Sequence, residues 1–92
     1  MSRPRRRRRI CGKPHANYFK PAGIGKCELE VLVLAMDEFE AIRLKDFEGL
    51  NQKAAAKEMN ISQPTFHRLL DSARKKIADG IVNGKAIEIV SG

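Results

Sequence analysis

The sequence predicts a mainly α domain: a helix-turn-helix core with a short two-stranded β element and a disordered basic N-terminal arm. Three observations carry that reading. Residues 52–71, QKAAAKEMNISQPTFHRLLD, have the pattern of two short helices joined by a tight turn. Residues 28–34 (ELEVLVL) and 85–90 (KAIEIV) are short aliphatic runs that alternate as strands do. Residues 1–10, MSRPRRRRRI, combine six arginines with almost nothing to bury.

Length and composition bound the rest. A chain of 92 residues with 42% hydrophobic side chains makes one domain with a modest core. No apolar run approaches the ~20 residues that span a bilayer. No apolar stretch follows the N-terminal charge, as a secretory signal would require. The expectation is a cytoplasmic protein without membrane contact, in which Cys11 and Cys27 stay reduced. The formal net charge of +7 is unevenly placed. Residues 1–26 hold nine basic side chains and no acidic ones, whereas the other nine Lys and Arg face eleven Asp and Glu in residues 27–92, a net of −2. The charge that attracts a polyanion therefore sits at the N-terminal end, and the body is nearly balanced.

Taken in order, residues 1–10 are expected to be a disordered arm whose arginines Arg5, Arg6, Arg7, Arg8 and Arg9 hold phosphates or enter a minor groove. Residues 11–27 form a loop broken by Pro14, Pro21 and several glycines, with Tyr18 and Phe19 as its anchors against the body. Cys11, His15 and Cys27 lack the paired Cys-x2-4-Cys spacing and a fourth ligand, so no metal site is expected.

The domain proper is residues 28–92. In the first strand, Leu29, Val31 and Val33 alternate with Glu28 and Glu30, which predicts Val31 and Val33 on the buried face. Asp37 reads as an N-cap with Glu40 three places on, opening a helix to about residue 46. Met36, Phe39 and Ile42 would face inward, leaving Glu38, Glu40 and Arg43 as a solvated face.

The helix-turn-helix unit covers residues 51–80. Asn51 caps a helix over 52–59, and Ala54, Ala55 and Ala56 leave its packing faces thin enough for close approach. Asn60 takes the turn position that needs a positive φ, and Ile61 plugs the turn. Ser62 caps the second helix, expected over 63–82, with Pro64 in the first turn where a missing N–H costs nothing. Phe66, Leu69, Leu70, Ala73 and Ile77 form one apolar stripe. The opposite face carries Gln63, Thr65, His67 and Arg68, the positions from which a recognition helix reaches base edges. Gln63 suits adenine and Arg68 suits guanine. Ser62, Lys53, Arg74 and Lys75 are the candidates for phosphate contact. The closing strand could pair with residues 28–34 within one subunit or across a homodimer.

At residues 32–80 the chain resembles the region-four helix-turn-helix of sigma factors. Over nearly its whole length it resembles uncharacterised protein family 0251 (domain of unknown function 134). The pieces that carry this are RPRRRR, YFKPAG, LAMDEFEAIRLKDFEGL, AAAKEMNISQPTFHRLLDSARKKIADGIVNGKAI and the final SG. The resemblance implies a DNA-binding protein, with Ser62, Gln63, Thr65, His67 and Arg68 at the base-facing positions.

The expected function is therefore double-stranded DNA binding as a transcriptional regulator. Alternatives are an adaptor that contacts RNA polymerase and an RNA-binding protein served by the same arginine arm. No phosphate loop, nucleophile elbow or zincin pattern is present, so neither an enzyme nor a cofactor is expected.

Overall fold

The computed structural model describes residues 12–91. The arm, Cys11 and Gly92 lie outside them. Element order is β1 (Tyr18–Phe19), a 3-10 turn (Lys26–Glu28), β2 (Val31–Ala35), α1 (Met36–Ile42) continued by a π turn (Arg43–Phe47), α2 (Gln52–Met59), α3 (Gln63–Asn83) and β3 (Ala86–Val90). The molecule is mainly helical, with a small sheet laid against the long third helix.

The sheet has three strands, ordered β1-β3-β2, where the sequence suggested two. β3 lies in the middle. It pairs in parallel with β2, Leu32 opposite Ile87 and Leu34 opposite Ile89, and antiparallel with β1, Tyr18 opposite Glu88. The pairing left open between one subunit and two is thus made within one chain. The unexpected strand lies in the Pro/Gly-rich loop, where two residues are too few to give a periodic signal. It anchors that loop by backbone bonds more than by burial, since Tyr18 is half-buried and Phe19 is exposed.

β2 corrects the expected phase. Leu34 is buried and Leu32 half-buried, whereas Val31 and Val33 are exposed. The five residues VLVLA are all apolar, so alternation within them decides nothing. The glutamates that seemed to set the phase, Glu28 and Glu30, precede the strand.

α1 brings a second correction. Its N-cap is Ala35, not Asp37, and the reciprocal carboxylate is Glu38, whose Oε1 accepts the Ala35 N–H at 2.9 Å. Glu38 and Glu40 are buried, so the supposed solvated face is interior. Glu40 is covered by Arg43, whose Nε and Nη2 donate to its two oxygens at 2.8 and 2.9 Å, and it also accepts the Gly12 N–H. Glu38 accepts from Ser72 on α3 and from Lys76 Nζ at 2.8 Å. Burial pushes the Glu38 carboxyl upward. The bonds from Lys76, Ser72 and Ala35 outweigh it and hold the group below its ordinary value.

The core falls into two clusters. Ala41, Leu44, Ala55, Ala56, Met59, Phe66 and Leu70 fill the space between the helices, and Leu34, Ala73 and Ile89 seat α3 on the sheet. Glycine at position 80 allows that seating. A Cβ there would lie 2.8 Å from Ile87 Cδ1.

Candidate nucleic-acid interface

The unit built by α2 and α3 follows the local chemistry of its sequence closely. Asn51 Oδ1 accepts the Ala54 N–H at 2.8 Å and starts α2. The alanines at 55 and 56 are buried, and they let Phe66 and Leu70 of α3 approach. Asn60 ends the helix in the left-handed region, at φ 59° and ψ 45°. Its N–H donates to Lys57 O at 3.0 Å and the Ile61 N–H donates to Ala56 O at 3.1 Å, so the turn satisfies its own backbone. Three residues then suffice to reverse the chain into α3.

At the start of α3 the Ser62 hydroxyl accepts the Thr65 N–H at 3.3 Å and donates to Thr65 Oγ1 at 3.0 Å. Phe66 and Leu70 are buried on one face, and Gln63, His67 and Arg68 are exposed on the other. Thr65 is half-buried between them, and Arg68 Nη2 donates to its hydroxyl at 3.3 Å. The four residues read as base contacts thus share the first two turns of one helix, with Thr65 set deeper than the other three.

The residues read as phosphate contacts divide. Lys53 and Ser62 line one open hollow beside the turn, together with Lys57, Asn60 and Gln63. Lys57 was not among the candidates, although its spacing of four from Lys53 already put both on one face of α2. Lys75 is exposed further along α3. Arg74 is engaged elsewhere: Nε donates to Asp46 Oδ2 at 3.0 Å and Nη2 donates to Asp46 Oδ1. That forked pair ties α3 to the π turn, and the Arg74 bond holds the Asp46 carboxyl below its usual range. Nothing in the sequence between 46 and 74 signals this contact. The arginines Arg5 to Arg9 lie outside the described residues.

Chemically, the exposed first turns of α3 present hydrogen-bond donors and two amphoteric groups, with two lysines at their flank. Among the described residues, no group of three or more His, Cys, Asp or Glu could hold a metal ion. His15 and Cys27 are both exposed. Among the same residues, no helix is long and apolar enough to cross a membrane.

Comparison with known proteins gives a family. The model described as "Protein of unknown function DUF134" matches residues 1–92. The chain belongs to this family. A UPF0251 protein of Caldanaerobacter subterraneus subsp. tengcongensis is 51% identical over 92 residues, all of this chain and 78% of that protein. One from Moorella thermoacetica is 54% identical over the same span, 62% of its length, and one from Clostridium botulinum is 50% identical, 59% of its length. The chain therefore spans between about three fifths and four fifths of these relatives. No solved structure matches it.

Proposed function

We propose that this DUF134 chain is a DNA-binding protein of the cytoplasm, a transcriptional regulator without catalysis. It reads the major groove with the start of α3 and holds the backbone with Lys53, Lys57, Lys75 and the Arg-rich arm. One observation carries this reading: Gln63, His67 and Arg68 stand exposed on one face of a helix entered through a tight turn. A helix so placed can enter a groove about 12 Å wide, while the short helix before it crosses the backbone. Base-edge contacts then give sequence preference, and the lysines and the arm give salt-dependent affinity.

Selection of bound duplexes from a random pool, near physiological salt, tests it. The parent is expected to enrich a motif that a Gln63→Ala/Arg68→Ala variant fails to enrich. No motif from either, with equal salt-sensitive retention, would leave a non-specific polyanion binder and sink the reading.

A second reading is an adaptor that contacts a protein such as RNA polymerase and has only general nucleic-acid affinity, for RNA included. Such a partner would cover the exposed apolar side chains Phe47, Ile81 and Val82, at 82%, 75% and 78%. Under that reading Phe47→Ser and Ile81→Ser would abolish function and leave duplex binding intact.

A further inference from the structure

Three arginines occur among the described residues, and two of them are committed to carboxylates. Arg43 is forked onto Glu40, and Arg74 onto Asp46. Arg68 is different: its bond is to a hydroxyl, Thr65 Oγ1, one turn back on the same helix. Its charge is therefore held in place without being neutralised.

The hydroxyl that holds it is itself held. Thr65 Oγ1 accepts from Ser62 Oγ at 3.0 Å and from Arg68 Nη2 at 3.3 Å. A hydroxyl oxygen has two acceptor lone pairs and one hydrogen to donate. The guanidinium can only donate, so the Arg68 bond has one direction, onto the Thr65 oxygen. Ser62 also accepts the Thr65 N–H, so two bonds to Ser62 hold the Thr65 side chain and backbone in place. The result is a held guanidinium whose remaining N–H groups offer donors only.

We propose that Thr65 is a positioning residue for Arg68, and that the pair specifies guanine at one position of the bound site. This rests on the DNA-binding reading above. Guanine shows two acceptors, N7 and O6, in the major groove, and the N–H groups of Arg68 satisfy both. Adenine shows an acceptor and a donor, so its amino group would meet a second donor with no acceptor between them. Thr65 thus acts through Arg68: it removes freedom from a long side chain before the base arrives, which lowers what binding must order.

Competition binding of the full chain tests this. The probe is the duplex enriched by the parent, with all four base pairs tried at each position, for the parent, Thr65→Val, Thr65→Ala, Thr65→Ser, Arg68→Ala and Thr65→Val/Arg68→Ala. The bond is long and partly exposed, so the expected effect is modest. Thr65→Val and Thr65→Ala should each reduce guanine-over-adenine discrimination at one position about 3- to 10-fold, with the salt slope unchanged. Thr65→Ser should restore it, and the double variant should discriminate no worse than Arg68→Ala. In the free chain, Arg68 Nε relaxation should show a more mobile side chain in Thr65→Val than in the parent or Thr65→Ser.

Unchanged discrimination in Thr65→Val and Thr65→Ala would overturn the positioning role and leave DNA reading by α3 standing. So would a loss spread evenly over all four bases, which is what a weakened helix start gives. A parent without preference at any position would overturn both.

Discussion

Asn60 shows how much one residue can decide. It alone among non-glycine described residues has a positive φ, at 59°, and the approach of α3 to α2 depends on that single left-handed step. Left-handed backbone costs most side chains ~1 kcal/mol or more, glycine nothing, and asparagine little. Asn60→Gly should therefore change stability by only a few tenths of a kcal/mol. Asn60→Val should cost about 1–2 kcal/mol, because a β-branched side chain adds crowding to the same strain. Urea unfolding midpoints of the two variants check this, with equal slopes expected if only the folded state is affected. A Val variant as stable as the parent would mean that the turn relaxes out of the left-handed region. This residue was legible in the sequence because the requirement is local. So were Asn51 and Ser62, whose capping bonds reach only three residues ahead.

Elements were legible as far as their determinants are local. α2 and α3 begin and end within a residue of expectation, since caps, proline and glycine mark their ends. α1 departs from expectation at Glu38 because its partners are distant in sequence, and at Glu40 because a local pair with Arg43 is buried and not solvated. Glu38 meets Ser72 and Lys76, some 34 and 38 residues on, and no periodicity announces that. Lys76 also donates to Val33 O at 2.8 Å, so one lysine joins α3 to both α1 and the outer strand β2. A lysine so placed also caps an edge carbonyl that would otherwise be open to another strand. Removing the carboxylate leaves Lys76 and Ser72 short of an acceptor. Glu38→Ala should cost about 2–3 kcal/mol, below the figure for a wholly buried pair because Lys76 is partly exposed. In thermal unfolding that corresponds to a drop of roughly 10–20 °C.

The pH dependence follows from the same contact. The folded state holds Glu38 below its ordinary 4.5 and Asp46 below its ordinary 3.8. Groups lowered on folding contribute stability that is complete above the unfolded value and is lost as pH falls through the lower folded value. Stability should thus be level between pH 5 and 7 and fall below about pH 4.5. Denaturant titrations of Glu38→Gln against the parent isolate the share of Glu38. The variant should be weaker at pH 7 and the gap should narrow toward pH 3. A gap that stays constant with pH would mean that packing, not charge, makes the contribution.

At the scale of the whole molecule, the DNA-binding proposal assigns different work to the two halves of the charge distribution. The nearly balanced body carries the exposed row on α3, whose contacts would distinguish sequences. The basic N-terminal residues carry charge without a pattern that could read bases. The uneven charge is legible from composition alone, and the arm's place relative to α3 lies outside the described residues. It predicts that affinity and preference separate by mutation. Each phosphate neutralised on duplex DNA adds about −0.9 to the slope of log K against log salt. Replacing Arg5 to Arg9 by alanine should therefore flatten that slope by roughly 4 if all five lie on phosphates, and by proportionately less if some do not. The enriched motif should stay the same. Gln63→Ala/Arg68→Ala should do the reverse, erasing the motif while changing the slope by no more than about 1. Binding isotherms at four or five salt concentrations measure both quantities on the same samples. If the arm variant loses the motif as well, the arm reads sequence itself, through a narrow minor groove, and recognition is shared between the two ends of the chain.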